Sequence, residues 1–278
     1  MHFVVVGVGY TGKRVCNLLP GDRVYLVNRS ELNENLQKLP NQTVDLDSSS
    51  HEALTLPAPC TVLYTVPPES HENARLENFL RNLGSEVQRI VYLSTTGVYG
   101  DRGGAVVTEE YAPKPTTDRA KYRRAAEERL LEWGSEKSAE IMVLRVPGIY
   151  GPDRLGVSRL AAKDAVISEV DANPGNRIHV DDLAACCIAA MTLDVPTGIY
   201  NVGDGDYRSS TWFAKTVARL ADMSAPREIA RDEALRTFSS RRLSFLAESR
   251  RIDVSKMRDT LGCVPRYRDA EDGIRASL

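Results

Sequence analysis

Three glycines near the start of the sequence have the spacing of a phosphate-binding turn. Gly7, Gly9 and Gly12 follow an apolar run at residues 2–6 and overlap the start of a helical pattern that continues over residues 13–19. In a strand–turn–helix unit, the first glycine permits the tight turn, the second lets a pyrophosphate approach the backbone, and the third lets the helix lie close to the strand. The N–H groups of the first helical turn then face the phosphates, and the alternative is a structural turn that binds no ligand. The predicted phosphate-binding residues are Gly7, Gly9, Tyr10, Thr11 and Gly12.

The end of the second predicted strand bears on which dinucleotide would bind. Residues 23–27 are typical of a buried strand, which Asn28 and Arg29 follow. A carboxylate at this place holds the ribose 2′-hydroxyl of NAD, whereas an arginine suits the 2′-phosphate of NADP. Asn28 and Arg29 are therefore predicted to bind the cofactor, with NADP expected ahead of NAD. The alternative is that Arg29 only faces solvent at the start of a helix.

Strands alternate with helical patterns along the first part of the chain. Further strands are predicted at residues 43–46, 60–66 and 89–93, with a helix at residues 71–83. This alternation indicates an α/β fold with a doubly wound parallel sheet of the Rossmann type. In such a sheet the carboxyl ends of the strands face the cofactor cleft. The residues expected to reach the cofactor from the strand at 60–66 and the turn after it are Thr65, Val66 and Pro67.

Four later segments carry a resemblance to a known family. Residues 94–100 read Ser-Thr-Thr-Gly-Val-Tyr-Gly, residues 144–152 read Leu-Arg-Val-Pro-Gly-Ile-Tyr-Gly-Pro, residues 176–184 read Asn-Arg-Ile-His-Val-Asp-Asp-Leu-Ala, and residues 198–203 read Gly-Ile-Tyr-Asn-Val-Gly. Together with the N-terminal turn, they resemble the extended short-chain dehydrogenase/reductases, the NAD-dependent epimerase/dehydratase group. The resemblance implies hydride transfer to or from a nicotinamide, and it puts Pro147 among the cofactor-binding residues.

The resemblance also indicates where proton transfer would occur, and there the sequence departs from the family. In the family, a Ser or Thr after the fifth strand acts with a Tyr and with a Lys four residues later on one helix. Thr95 matches the Ser or Thr position, and Ser94 is its neighbour. The Ala-Ala-Glu at residues 125–127 aligns Arg119 with the Tyr and Arg123 with the Lys. Arginine stays protonated and has no acceptor atom, so Arg119 cannot be a general base.

Arg119 and Arg123 are spaced by four residues and therefore face the same side of their helix. Two guanidinium groups facing the cleft would suit a substrate carboxylate or phosphate. The alternative is that they form surface ion pairs with acidic residues of the same helix. Thr116 or Thr117 is expected to cap this helix. Loss of the Tyr/Lys pair makes the chain resemble the atypical members of the extended type.

The overall composition is that of an ordinary soluble protein. The 278 residues carry a net charge of −2 with both signs interspersed, so neither a nucleic acid nor a membrane is an expected partner. No apolar stretch is long enough to span a membrane, and no signal peptide is recognised. The five cysteines lack the spacing of metal ligands, so no metal site is predicted. A cytoplasmic location is expected.

We expect one Rossmann-type domain over residues 1–278, with a small C-terminal substrate lobe at about residues 153–175 and 204–278 packed on it. The predicted function is that of an NAD(P)-binding oxidoreductase or epimerase-like protein. It would act by hydride transfer on a small molecule that is anionic or resembles a sugar nucleotide. The alternative is a non-catalytic NADP-binding sensor or regulatory protein. The resemblance further implies a homodimer through a helix face.

Overall fold

A computed structural model of the chain describes residues 1–47 and 54–278, apart from the side chain of Arg241. The strands are β1 (His2–Val6), β2 (Val24–Asn28), β3 (Asn41–Thr43), β4 (Cys60–Tyr64), β5 (Val87–Thr95), β6 (Val106–Val107), β7 (Glu140–Val146), β8 (Gly148–Tyr150), β9 (Val166–Ile167), β10 (Arg177–His179), β11 (Gly198–Asn201), β12 (Glu228–Ile229) and β13 (Arg251–Ile252). The α-helices are α1 (Tyr10–Leu18), α2 (Glu34–Gln37), α3 (Ala74–Arg81), α4 (Asp118–Lys137), α5 (Val157–Ala161), α6 (Val180–Thr192), α7 (Ser210–Leu220), α8 (Arg231–Thr237), α9 (Ser240–Leu246), α10 (Ser255–Asp259) and α11 (Ala270–Arg275). Short 3-10 turns lie at Gly21–Arg23, Thr96–Tyr99 and Glu169–Asp171.

The central element is a parallel sheet of seven strands in the order β3-β2-β1-β4-β5-β7-β11. Strand β1 pairs with both β2 and β4, so the winding of the chain reverses between β1 and β4. Ligands of doubly wound sheets bind at this reversal, outside the carboxyl ends of the strands. The predicted Rossmann-type α/β fold is confirmed.

Both faces of the sheet are covered, because alternate residues of a strand point to opposite sides. Phe3 and Val5 of β1 belong to one core, which includes residues of α1 and α6. Val4 and Val6 belong to the other core, which includes residues of α3 and α4. A strand buried on both faces needs apolar residues at successive positions, which explains the continuous apolar run of β1.

The third strand lies earlier than the sequence pattern predicted. It spans Asn41–Thr43 and not residues 43–46, and it pairs with the end of β2. Val44 and Leu46 are buried, but they follow the strand and pack in a core cluster beside the sheet. The strand itself is a polar edge strand, so it has no apolar pattern that a sequence reading could detect.

The C-terminal part of the chain forms a lobe around a small core, and two contacts attach this lobe to the rest of the chain. Strand β13 pairs with β6, which lies between β5 and α4. Ile252 and Met257 pack in the same core as α1 and α6. The buried residues of the lobe's small core are Tyr150, Leu155, Val217, Ala270 and Ile274.

In the described residues, no helix is both long and apolar enough to cross a membrane.

Candidate cofactor-binding and active site

The glycine turn connects β1 to α1 at the carboxyl edge of the sheet. Gly7 has a φ of +85°, and its N–H donates to the carbonyl oxygen of Val27 at 2.9 Å. A Cβ atom at Gly12 would lie only 2.7 Å from the carbonyl oxygen of Gly7, so a side chain there would push the helix away from the turn. A Cβ atom at Gly9 would have no atom of the described residues within 4 Å, so this position opens on space.

Helix α1 begins directly behind this open space. Its N-cap residue is Gly9, and no side chain caps the helix there. The N–H groups of the first turn have no partner within a helix, so they are available to an anion in front of it. The space at Gly9 and the uncapped helix end together fit a pyrophosphate group. These are the features that a Rossmann dinucleotide requires of the turn.

Tyr10 begins the helix, but its side chain contacts the segment after β8. The Tyr10 hydroxyl donates to the carbonyl oxygen of Pro152 at 2.7 Å, and the guanidinium carbon of Arg154 lies 4.0 Å from the ring centroid. Burial raises the pKa of the Tyr10 hydroxyl. A contact between Tyr10 and a phosphate would therefore be made by its backbone N–H.

Two of the predicted cofactor residues brace the turn. The side-chain oxygen of Asn28 accepts from the N–H of Val8 at 3.1 Å. The Thr65 hydroxyl donates to the carbonyl oxygen of Gly7 at 2.5 Å. Asn28 and Thr65 thus fix the turn from the neighbouring strands β2 and β4. Their side chains hold the backbone that would contact the cofactor.

Arg29 and Pro67 lie on the same side of the cleft, near the ends of β2 and β4. Arg29 is well exposed, and its Nη1 atom lies 2.7 Å from Oδ2 of Asp47. The carbonyl oxygen of Pro67 accepts from Nη1 of Arg75 at 3.5 Å. The adenosine half of a Rossmann dinucleotide occupies this side of the cleft. The sequence prediction included Arg29 and Pro67 but missed Asp47 and Arg75, which are distant from them along the chain.

Thr95 is the last residue of β5 and caps the following 3-10 turn. Its Oγ1 atom accepts from the N–H of Gly97 at 3.2 Å, and among the described residues its hydroxyl donates to none. The neighbouring Ser94 is buried, and its hydroxyl donates to Oε1 of Glu127 at 2.5 Å. The Thr95 hydroxyl is therefore the one of the two that is available to a ligand.

Helix α4 carries Arg119 and Arg123, the two arginines that the sequence pattern aligns with the Tyr and Lys of the family. The helix is capped by Thr117, whose Oγ1 accepts from the N–H of Ala120 at 3.3 Å, as predicted. The Arg123 guanidinium donates to the carbonyl oxygen of Leu93 in β5 and lies 3.5 Å from the Tyr92 hydroxyl. Arg123 thus contacts β5 at Leu93, which lies two residues before Thr95 in the chain.

The Arg119 guanidinium points elsewhere, toward the C-terminal lobe. Its central carbon lies 4.9 Å from the ring centroid of Phe245, a largely exposed residue of α9. Arg119 and Arg123 therefore lie on one side of α4, but Arg119 contacts the lobe and Arg123 contacts the sheet. Among the described residues, basic side chains of α4 that pair with acids include Lys121, Arg124 and Arg129.

A buried ion pair between Glu127 and Arg145 is linked to the end of β5 through Ser94. The Glu127 side chain is fully buried and accepts from Nη2 of Arg145 at 2.7 Å and from Nε at 3.1 Å. Arg145 is 1% exposed, and its guanidinium carbon lies 4.7 Å from the ring centroid of Tyr99. This pair ties α4 to β7, while Ser94 ties the same carboxylate to β5. The burial of Glu127 could not be predicted from the sequence, because an i, i+4 pattern does not reveal which acid is covered by a sheet.

A second buried cluster lies beyond the end of β11. One carboxylate oxygen of Asp204 accepts from the N–H of Asp206 at 2.9 Å, while the other, Oδ2, is buried and has no hydrogen-bond partner among the described residues. Burial raises the pKa of Asp204 to about 7, although the nearby Arg177 acts in the opposite direction. Asp204 lines a small cavity together with Pro147, which follows β7. This carboxyl therefore exchanges a proton near neutral pH at the carboxyl edge of the sheet.

His179 is the N-cap residue of α6 and is structural. Its Nδ1 atom accepts from the N–H of Asp181 at 3.2 Å, so the other ring nitrogen carries the hydrogen and donates to the Ser277 hydroxyl at 3.0 Å. The ring centroid lies 4.3 Å from that of Tyr267. Burial lowers the pKa of His179, so the imidazole is held neutral. The residue joins α6 to the C-terminal end of the chain.

A family model matches most of the chain. Residues 3–203 match the model of the NAD dependent epimerase/dehydratase family. Among curated proteins, the uncharacterized protein y4nG of Sinorhizobium fredii (strain NBRC 101917 / NGR234) is 23% identical over 208 residues, which is 68% of this chain and 52% of that protein. Protein YeeZ of Escherichia coli K12 is 31% identical over 150 residues, which is 52% of this chain and 50% of that protein. The chain thus spans about half the length of the curated relatives it matches.

Solved structures resemble the chain over nearly its whole length. A functionally unknown conserved protein from Silicibacter pomeroyi DSS has a TM-score of 0.81 at 24% identity, covering 99% of this chain and 97% of that one. A UDP-N-acetylglucosamine 4-epimerase from Methanobrevibacter ruminantium has a TM-score of 0.78 at 16% identity, covering 99% and 96%. A UDP-glucose 4-epimerase from Thermotoga maritima has a TM-score of 0.75 at 17% identity, covering 100% and 97%. At these identities the likeness establishes the fold.

Proposed function

The chain belongs to the NAD-dependent epimerase/dehydratase family, and we propose that it binds a nicotinamide dinucleotide and uses it for hydride transfer on a small substrate. The observation that carries the proposal is the turn at the end of β1. In the part of the chain that the structure describes, a Cβ atom at Gly9 would have no neighbour within 4 Å, and no side chain caps helix α1 there. A turn kept open in front of free N–H groups fits a pyrophosphate.

The residues that would hold the cofactor follow from the positions of the strands. The backbone N–H groups of Tyr10, Thr11 and Gly12 would bind the pyrophosphate. Val66 and Pro67 would line the adenosine side, and Pro147 would lie toward the nicotinamide. Arg29 favours NADP over NAD, because a guanidinium suits a 2′-phosphate better than a hydroxyl group.

At the nicotinamide end, the chain offers a hydrogen-bond donor but no base at the family position. The bound nicotinamide would supply or accept the hydride. The Thr95 hydroxyl would donate to a substrate oxygen, and Arg119 lies one helical turn from Arg123, on the side that faces the lobe. A substrate with a carboxylate or phosphate would be attracted to this end. Two of the structural neighbours were solved with UDP-glucose or UDP-N-acetylmuramic acid, which makes a sugar-nucleotide-like substrate a reasonable first choice.

A second candidate is a non-catalytic NADP-binding sensor. The observation that favours it is the state of Arg123, whose guanidinium is hydrogen-bonded to the Leu93 carbonyl and contacts the Tyr92 hydroxyl. An arginine in this place braces β5 and accepts no proton. Such a protein would keep the cofactor turn and lose the proton transfer that usually accompanies it.

One titration and one assay separate the two candidates. The protein is titrated with NADPH and NADH, and it is then incubated with a panel of carbonyl compounds and sugar nucleotides while the absorbance of the reduced nicotinamide is followed. Binding followed by turnover supports the enzyme. Binding without turnover of any substrate supports the sensor. Failure to bind either dinucleotide would contradict both.

A further inference from the structure

Three charged side chains meet at the adenosine side of the cleft. Arg29 follows β2, Asp47 follows β3, and Arg75 lies in the first turn of α3. A single carboxylate oxygen, Oδ2 of Asp47, lies 2.7 Å from Nη1 of Arg29 and 3.0 Å from Nη2 of Arg75. The Nε atom of Arg75 also donates to the other oxygen of Asp47. Two guanidinium groups therefore converge on one anionic group.

This cluster lies beside the glycine turn. Asn28, which precedes Arg29, accepts from the N–H of Val8 in that turn. Arg75 donates to the carbonyl oxygen of Pro67, just after Thr65, whose hydroxyl is bonded to Gly7. One arginine thus follows β2, the other lies in α3, and both contact Asp47. The ribose of the adenosine half reaches this place in a Rossmann fold.

The charges of the cluster suit an anion with more oxygens than a carboxylate. Arg75 also contacts Glu69, whose carboxylate accepts from the backbone N–H of Arg75 and lies 3.8 Å from its Nε. Asp47 is the acid that both arginines share, and its side chain is 37% exposed, so it has room to move away. The hydrogen bonds from Arg75 hold the pKa of Asp47 below its ordinary value, so this carboxyl is charged at neutral pH. A phosphate monoester offers three oxygens and could be bound by both guanidinium groups at once.

We propose that Arg29 and Arg75 together form the site for the 2′-phosphate of NADP, and that Asp47 occupies this site when no cofactor is bound. The proposal rests on the proposed dinucleotide binding and adds two residues to it. When NADP binds, its phosphate replaces the Asp47 carboxylate between the two arginines. When NAD binds, Asp47 keeps its place. Asp47 thus weakens the preference for NADP that the two arginines create.

Binding of the adenosine half alone tests this without any turnover. Isothermal titration compares 2′,5′-ADP with 5′-ADP, which lacks the 2′-phosphate, in the wild type and in three variants. Arg75→Gln is expected to weaken 2′,5′-ADP binding by about tenfold or more, as the loss of a charged hydrogen bond does, and to leave 5′-ADP unchanged. Asp47→Asn is expected to strengthen 2′,5′-ADP binding several-fold, because the phosphate no longer displaces a charged competitor. Arg81→Gln, an exposed arginine at the other end of α3, is the matched control and should change neither affinity.

The ratio of the two affinities within each variant guards against effects of misfolding. Equal ratios in the wild type and in Arg75→Gln would overturn the role of Arg75. Weaker 5′-ADP binding in Asp47→Asn would overturn the role of Asp47, because it would mean that this carboxylate accepts a hydrogen bond from the ribose. If the wild type bound neither nucleotide, the proposed function would fail first. If it bound both, with a ratio that Arg75 and Asp47 do not alter, only the present inference would fail.

Discussion

The buried carboxyl of Asp204 makes the stability of the protein depend on pH in a way that one substitution removes. Folding raises the pKa of Asp204 from its ordinary value of 3.8 to about 7, mainly because the group is buried. The protonated carboxyl therefore contributes stability below about pH 4, and this contribution is lost as the pH rises through 7. At about 1.4 kcal/mol per pH unit, the whole effect is at most about 4 kcal/mol, of which about 3 kcal/mol falls between pH 5 and pH 8.

Replacing Asp204 by Asn keeps the hydrogen bond that its Oδ1 atom accepts from Asp206, and it removes the titration. Urea unfolding of the wild type and of Asp204→Asn at several pH values between 5 and 8 gives the two free energies of unfolding. The difference between variant and wild type should shift in favour of the variant by up to about 3 kcal/mol as the pH rises over this range. The titration of His179 is present in both proteins and cancels in the difference. Asp22→Asn, at an exposed position, is the control and should leave the pH dependence unchanged.

The reasoning would be refuted if Asp204→Asn and the wild type lost and gained stability in parallel across this range. That result would mean that Asp204 titrates alike in the folded and unfolded protein, so that either water or Arg177 fully compensates for its burial. A difference in free energy of unfolding that is the same at all pH values would report only the effect of replacing a carboxyl by an amide. The change of this difference with pH is therefore the decisive quantity, and the absolute stability is not.

Three more predictions concern the turn, the buried ion pair and the buried imidazole. Glu127→Ala should cost about 3–5 kcal/mol of unfolding free energy, because it leaves the Arg145 charge buried and unpaired, whereas Glu128→Ala at an exposed position should cost under about 1 kcal/mol in the same urea titration. His179→Asn keeps a side-chain cap on α6 and removes a group whose pKa is lowered by folding. As the pH falls below about 6.5, the wild type should therefore lose melting temperature relative to this variant, and a constant difference between the two proteins would contradict the neutral state of the imidazole. Gly9→Ala should keep the melting temperature and weaken NADPH binding, while Gly12→Ala should lower the melting temperature, because only the second substitution clashes with the turn; loss of stability in Gly9→Ala would contradict the open space seen there.

Local patterns were sufficient for the elements that carry the cofactor turn. Strand β1, the glycine spacing and the start of α1 lie within about twenty consecutive residues, and each has its own signal in composition or periodicity. The Thr117 cap was predictable for the same reason, since capping depends on a side chain and an N–H three residues later. Strand β3 was misplaced because an edge strand of polar residues has no such signal. The buried Val44 and Leu46 just after it attracted the prediction instead.

The charged clusters were not predictable, because their members are far apart along the chain. Asp47 is 18 residues from Arg29 and 28 from Arg75, and no local pattern links an acid after one strand with a base on a later helix. Glu127 stands among other charged residues of α4, and only the sheet beneath it distinguishes it from the exposed Glu128. The partner of a charge is decided by tertiary packing, which sequence periodicity does not encode.

The two halves of the cleft therefore lead to separate conclusions. The adenosine half, built on β1, β2 and β4, has an open glycine turn and two arginines that converge on one anion. In the nicotinamide half, the end of β5 is held in place, because Ser94 and Arg145 both bind the Glu127 carboxylate. Arg119 and Arg123, however, cannot take up a proton. Since a supported strand end would position Thr95 equally well in an enzyme and in a sensor, the preserved scaffold does not argue for catalysis. A reaction at this end therefore needs a proton donor or acceptor other than these two arginines, beside the Thr95 hydroxyl.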